Sequence, residues 1–148
     1  IRVSSVSDSM GAYLLKVRDL PPLPALMRPT AKSTSTLTFK HYSNELAGTD
    51  AEIRGRRVDD YVFQFVAGKQ VQIHMEKVSD GLDPLLEVYA GSDRLGLEII
   101  ARDDDSGDDM NAFVVFTPEE SGEFLVRATS SGDNSNLGAY SLRVGQMP

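Results

Sequence analysis

Five carboxylates crowd the seven residues from Asp103 to Asp109: Asp103, Asp104, Asp105, Asp108 and Asp109, with Ser106 and Gly107 between them. Without a counter-ion such charges repel one another and hold a loop open. Hard oxygen ligands in this number suit calcium, which takes about six to eight oxygens at roughly 2.3 to 2.6 Å. A solvated acidic turn is the competing reading, because runs of like charge ordinarily face water. The loop is not an EF-hand: Gly107 falls at the fifth position, not the sixth, and no helical pattern flanks it. Asp59 and Asp60 stand just before an aromatic strand. They are either a second source of metal ligands or caps of the strand start in water, and alternation sends one of the two outward. Tyr89 is out of phase with Leu86 and Val88, and with Leu85 it would form an exposed apolar patch beside Glu87, the one candidate for direct ligand contact.

The inventory holds the serine, aspartate and histidine of a hydrolytic triad, but no motif assembles them. The only histidines are His41 and His74, and His74 falls on the polar face of its strand. No nucleophile elbow or zinc-protease helix is present, so a non-catalytic role is expected. The net charge of −7 and the scattered Lys and Arg argue against a nucleic-acid partner. No apolar run approaches the roughly twenty residues a membrane span needs. The chain has no cysteine, which excludes disulfides and thiolate chemistry.

The elements that must position these residues are short and alternate with a period of two. Tyr61, Phe63 and Phe65 alternate with Val62 and Gln64, and Val71, Ile73 and Met75 with Gln72, His74 and Glu76. With Ala67-Gly68-Lys69 between them, the two runs read as a hairpin with one buried face. Leu86 and Val88, then Leu97 to Ala101, then Ala112, Val114 and Phe116, then Phe124, Val126 and Ala128, and finally Tyr140, Leu142 and Val144 supply further inward faces. Strands at this spacing, punctuated by Gly, Asp and Pro, predict an all-β antiparallel sandwich or barrel. Residues 33–42 open the domain with weak alternation, and 44–57 reads as either a short strand or a loop.

The chain also echoes itself. Val126-Arg127-Ala128-Thr129-Ser130 leading to Gly138-Ala139-Tyr140 repeats Ile1-Arg2-Val3-Ser4-Ser5 leading to Gly11-Ala12-Tyr13. Such self-similarity signals repeated modules. Residues 1–20 are therefore expected to be the closing strands of an upstream copy or a swapped strand pair. Residues 21–36, with Pro21, Pro22, Pro24 and Pro29, form a stiff linker, and 37–148 the complete domain. A lone strand pair is marginal in water, so a homodimer by strand exchange is one expectation.

Four blocks in order, Asp83-Pro84-Leu85-Leu86-Glu87-Val88-Tyr89, Ile100-Ala101-Arg102-Asp103-Asp104-Asp105-Ser106, Ser121-Gly122-Glu123-Phe124-Leu125-Val126-Arg127 and Gly138-Ala139-Tyr140-Ser141-Leu142-Arg143-Val144, resemble the bacterial pre-peptidase C-terminal domain, related to the collagen-binding domains of clostridial collagenases. The resemblance extends upstream to Asn44. It implies a jelly-roll-like β-sandwich, appended without catalytic function to secreted proteases or multi-module surface proteins, and in some members calcium-binding. Its implied partners are the attached catalytic or surface domains, its implied location secreted or cell-surface. An adhesion module that binds a carbohydrate or another extracellular polymer is the alternative. One departure is Arg57, which stands where the family often has an acidic residue.

Overall fold

The structure is a computed structural model and describes residues 37–94 and 98–148. The expected strand pair at 1–20 and linker at 21–36 lie outside the described residues, as does the strand exchange that rests on them. The unit Thr36–Pro148 is compact. Among the described residues nine strands run in chain order: β1 (Thr38–Leu46), β2 (Ala51–Ile53), β3 (Arg56–Phe65), β4 (Val71–Lys77), β5 (Pro84–Ala90), β6 (Ile99–Asp103), β7 (Ala112–Phe116), β8 (Gly122–Ser130) and β9 (Gly138–Gln146). They form a four-stranded sheet, β1-β9-β4-β7, and a five-stranded sheet, β2-β3-β8-β5-β6, with antiparallel pairing throughout both.

With the short edge strand β2 set aside, the other eight follow the orders first-eighth-third-sixth and second-seventh-fourth-fifth. That is a jelly roll, two interleaved Greek keys, as the resemblance implies. No helix among the described residues is long and apolar enough to cross a membrane.

Alternation places the core. Val71, Ile73 and Met75 from β4, Leu86 and Val88 from β5, Phe124, Val126 and Ala128 from β8 and Tyr140, Leu142 and Val144 from β9 are all buried in one cluster. Tyr61 and Phe63 pack against its side, while Val62, between them, is 49% exposed.

One expectation is corrected. β3 and β4 do not form a hairpin: β3 pairs with β2 and β8, and β4 with β7 and β9. The two buried faces look at each other across the sandwich, and the Val66–Lys69 segment carries the chain from one sheet to the other. That crossing is held by long-range bonds no local pattern contains. The Gly68 amide donates to the Pro118 carbonyl at 2.9 Å, and the Gln146 side chain receives the Val66 amide and donates to the Val66 and Lys69 carbonyls.

The ambiguous stretch resolves into the end of β1, strand β2 and a two-residue turn. Arg54 and Gly55, with φ of 54° and 81°, link the opposed pair Ile53 and Arg56, the primed geometry that matches strand twist. Strand β3 thus starts at Arg56, and Asp59 and Asp60 lie inside it, not before it. At the other edge, Gly145 lets β1 approach β9: a Cβ there would sit 2.9 Å from the Thr38 carbonyl.

The assignment of faces is checked by paired substitutions. Leu142→Ala, at a fully buried site, is expected to lower unfolding free energy by about 2–5 kcal/mol. Val62→Thr is expected to change it by less than about 0.5 kcal/mol. Urea titration reads both, and comparable losses would place β3 in the wrong phase.

Candidate functional site

The acidic loop closes on itself. Asp103, the last residue of β6, accepts the Ser106 amide at 2.9 Å and hydroxyl at 2.5 Å and the Phe113 amide of β7 at 2.9 Å. Asn111 donates its amide and its side-chain Nδ2 to the Asp108 carbonyl, and the Gly107 amide donates to the Asn111 carbonyl. Burial alone would raise the Asp103 pKa, but these donors, together with Arg102 nearby, hold it below the ordinary 3.8. Asp105, Asp108 and Asp109 are exposed and Asp104 is half-buried. Among the described residues no three acidic or histidine side chains gather to hold a metal. As arranged, the Asp103 carboxylate is engaged by protein donors and the acidic side chains of the loop do not converge on one point.

Asp59 and Asp60 point to opposite faces of β3, as alternation requires, and neither is brought to the acidic loop as a ligand. Asp59 accepts the Tyr140 hydroxyl at 2.7 Å and the Asn44 side-chain amide at 3.1 Å, and Tyr140 and Tyr61 join hydroxyls at 2.8 Å. Burial pushes the Asp59 pKa up against the Tyr140 hydrogen bond, with Asp50 and Asp60 adding repulsion. Arg57, at the place of the family's acidic residue, donates to the Asp50 carbonyl at 2.9 Å.

Asp60 belongs to a row that crosses the five-stranded sheet. The register sets Asp60 of β3 opposite Arg127 of β8, Arg127 opposite Glu87 of β5, and Glu87 opposite Arg102 of β6, so charge alternates from strand to strand. Arg127 grips Asp60 with two bonds, Nε to Oδ1 at 2.7 Å and Nη2 to Oδ2 at 3.0 Å, and donates a third to the Arg94 carbonyl at 3.1 Å. The side chains of Arg127 and Asp60 are 4% and 6% exposed. Arg94 adds a bond to Asp60 at 2.6 Å.

Tyr89 corrects the expectation of an exposed patch. It is 2% exposed, its hydroxyl donates to Glu87 at 2.8 Å, and the Arg127 guanidinium lies 5.1 Å from its ring centre. Burial and the Glu87 bond push its pKa up to about 12. The out-of-phase residues Leu85, Leu125 and Thr129 are buried as well, so β5 and β8 are covered on both faces. On the other sheet, the imidazole of His74 packs on Phe113 with centroids 4.2 Å apart. Burial first, then Arg143, lowers its pKa.

Smaller openings of about 300 and 150 Å³ adjoin the acidic loop and the Glu87–Tyr89–Arg127 cluster. A groove of about 530 Å³ lies at the end of the sandwich away from the acidic loop. Its lining includes Ile100 at the start of β6, Phe116 at the end of β7 and Phe124 on β8, with Glu119, Glu120 and Glu123 among its polar residues and no Lys or Arg. Sequence reasoning passed over this groove and over Arg127. The signal for Arg127 was present in the consecutive apolar residues Leu85-Leu86 and Phe124-Leu125-Val126, since a strand buried on both faces reads as a continuous run. The groove had no comparable signal, because it forms where residues from three strands meet.

Two expectations follow. Arg127→Ala leaves the buried Asp60 carboxylate with the half-exposed Arg94 in place of two cations and is expected to cost about 3 kcal/mol. The double change Asp60→Leu with Arg127→Met, which removes the buried pair together and leaves only the solvent-reaching Arg94 without its partner, is expected to recover most of that in urea denaturation. Asp103→Ala is expected to lower the melting temperature at pH 7. Because its folded pKa is depressed, the Asp103 contribution is complete above 3.8 and is lost as pH falls through the lower folded value, so parent and variant are expected to converge in acid. Adding millimolar calcium and then chelator is expected to leave the parent's midpoint in place. A calcium-dependent rise would mean that the acidic side chains rearrange around an ion.

No family model matches the chain, and no curated protein matches it. Solved structures do. A periplasmic inhibitor of g-type lysozyme from Aeromonas hydrophila aligns with a TM-score of 0.53 at 19% identity, covering 81% of this chain and 93% of that one. The pre-peptidase C-terminal domain of collagenase from Bacillus anthracis aligns with a TM-score of 0.50 at 19% identity, covering 71% of this chain and 87% of that one. At that identity the likeness is one of fold, and the chain has a fold like that of the pre-peptidase C-terminal domain and of the lysozyme inhibitor.

Proposed function

We propose that the chain is a non-catalytic accessory module of an exported bacterial protein, holding or targeting the domain to which it is attached. The observation that carries this reading is the commitment of its reactive side chains. Asp60 is paired with Arg127 and Arg94, Asp59 with Tyr140, Glu87 with Tyr89 and Asp103 with the backbone of its own loop, while His74 is packed on Phe113. A general base has to be free to take a proton from substrate, and a nucleophile needs such a base beside it. These groups stabilise strands instead. The neighbours in fold agree, one being a periplasmic inhibitor and the other a domain of a collagenase, and both names suit a location outside the cytoplasm.

Of the alternatives, adhesion through exposed tyrosines loses its platform with the burial of Tyr89. A second reading, capture of a separate polypeptide, is favoured by the open groove, whose glutamates enter no ion pair among the described residues. Blocking a hydrolase, as the Aeromonas protein does with g-type lysozyme, would be one form of it.

The test is removal of residues 37–148 from the parent protein. Turnover of a small soluble substrate is expected to stay within about twofold, because the module supplies no reacting group, while the amount exported or retained on the natural target falls. Substrate turnover by the isolated chain would contradict the reading. Inhibition of g-type lysozyme by the isolated chain would move it to the second.

A further inference from the structure

We propose that the groove at the end of β6 and β7 is a docking site for an extended, basic polypeptide segment that adds to the free edge of β6. Three observations converge. First, β6 ends its sheet and pairs only with β5 among the described strands, so no described strand takes up the other row of its backbone donors and acceptors. Natural edges are commonly protected by Lys, Pro or inward charge. The first two residues of this one, Ile99 and Ile100, are each 41% exposed and apolar. Second, the groove begins at that end of the strand, with an apolar floor of Ile100, Phe116 and Phe124. Third, Glu119, Glu120 and Glu123 stand in its lining without any cation, and no ion pair engages them among the described residues.

Charge selects the occupant. The folded unit 37–148 of a second copy, with 20 Asp and Glu against 10 Lys and Arg, would bring like charge to an acidic groove. An alternating segment of Lys or Arg with Val, Ile or Leu satisfies all three features: its backbone completes the β6 ladder, alternate apolar side chains enter the groove, and its cations meet the glutamates. Strand addition of this kind draws affinity from main-chain bonds and specificity from the pockets beside them.

The proposal rests on the second reading, capture of a separate polypeptide, and names the chemistry of what is captured; it fails separately from the accessory reading, which catalytic turnover would sink, while the experiment here addresses the groove alone. The probe is a fluorescein-labelled peptide of alternating Lys and Val, titrated with the full chain and read by anisotropy, with an alternating Glu and Val peptide as the control. Saturable binding of the basic peptide is expected, weakening as salt is raised, with no binding of the acidic one. The triple variant Glu119→Gln, Glu120→Gln, Glu123→Gln changes only exposed residues and is expected to lose at least about tenfold in affinity. Ile100→Pro, which removes a backbone donor from the edge strand at the irregular point of its pairing with β5, is expected to lose binding while keeping the parent's circular dichroism. Amide shifts in the isotope-labelled chain are expected at 99–103 and 116–124. Equal binding by the triple variant, shifts confined to other strands, or absence of binding at millimolar peptide would each overturn the proposal. So would light scattering that shows the edge already paired in a dimer.

Discussion

The pairing of Asp60 with Arg127 is the interaction on which the five-stranded sheet depends. Strand β8 is central and buried on both faces from Phe124 to Ser130. One face meets the other sheet through Phe124, Val126 and Ala128. The opposite face carries a guanidinium that is removed from water, and an unpaired charge there would cost several kcal/mol. The strand is tolerable only because Asp60 takes two of its bonds and the Arg94 carbonyl a third. Because those partners come from β3 and from the segment after β5, one side chain fixes the order of strands and the path of the connection over them.

The same constraint explains why the chain offers little chemistry despite its 22 acidic residues. A jelly roll of this size has strands whose two faces are both occupied, and polar groups on them must be satisfied by neighbours. Glu87 and Tyr89 satisfy each other beside Arg127, Tyr140 and Asp59 do so at the other side of β3, and Thr129 donates to the Arg57 carbonyl at 2.7 Å. Among the described residues, openings remain where the sheets end, the groove beside β6 being one of them.

Much of the fold was legible because the side-chain period of a strand is two and one face was buried. Val71, Ile73 and Met75 announced their strand, and Tyr140, Leu142 and Val144 theirs, with the correct residues inward. Strand pairing was not legible, since a local pattern gives phase without a neighbour. Two aromatic and aliphatic runs separated by Gly68 look the same whether they pair or face each other across a core, and the bonds that decide come from Pro118 and Gln146. The candidate site was less legible still. Reading Tyr89 as exposed assumed that one side of β5 met water, although Leu85 on that side signalled otherwise. Asp60 and Arg127 are 67 residues apart in sequence, so Asp60 read as a metal ligand when its partner was a residue of the self-echo. The acidic loop was located correctly, but the role of Asp103 follows from an amide on the next strand, Phe113.

The claim that β8 anchors the molecule through a buried charge pair is tested most directly by native-state hydrogen exchange across residues 37–148. Protection from global unfolding is expected to be greatest in β8 and its neighbours β3 and β5, with the edge strand β6 opening at much lower free energy. In Arg127→Ala, protection is expected to fall across all three strands together. If β8 exchanged as readily as β6, or if the variant lost protection only at residue 127 and its immediate neighbours, the sheet would not depend on that pair and the account would be contradicted.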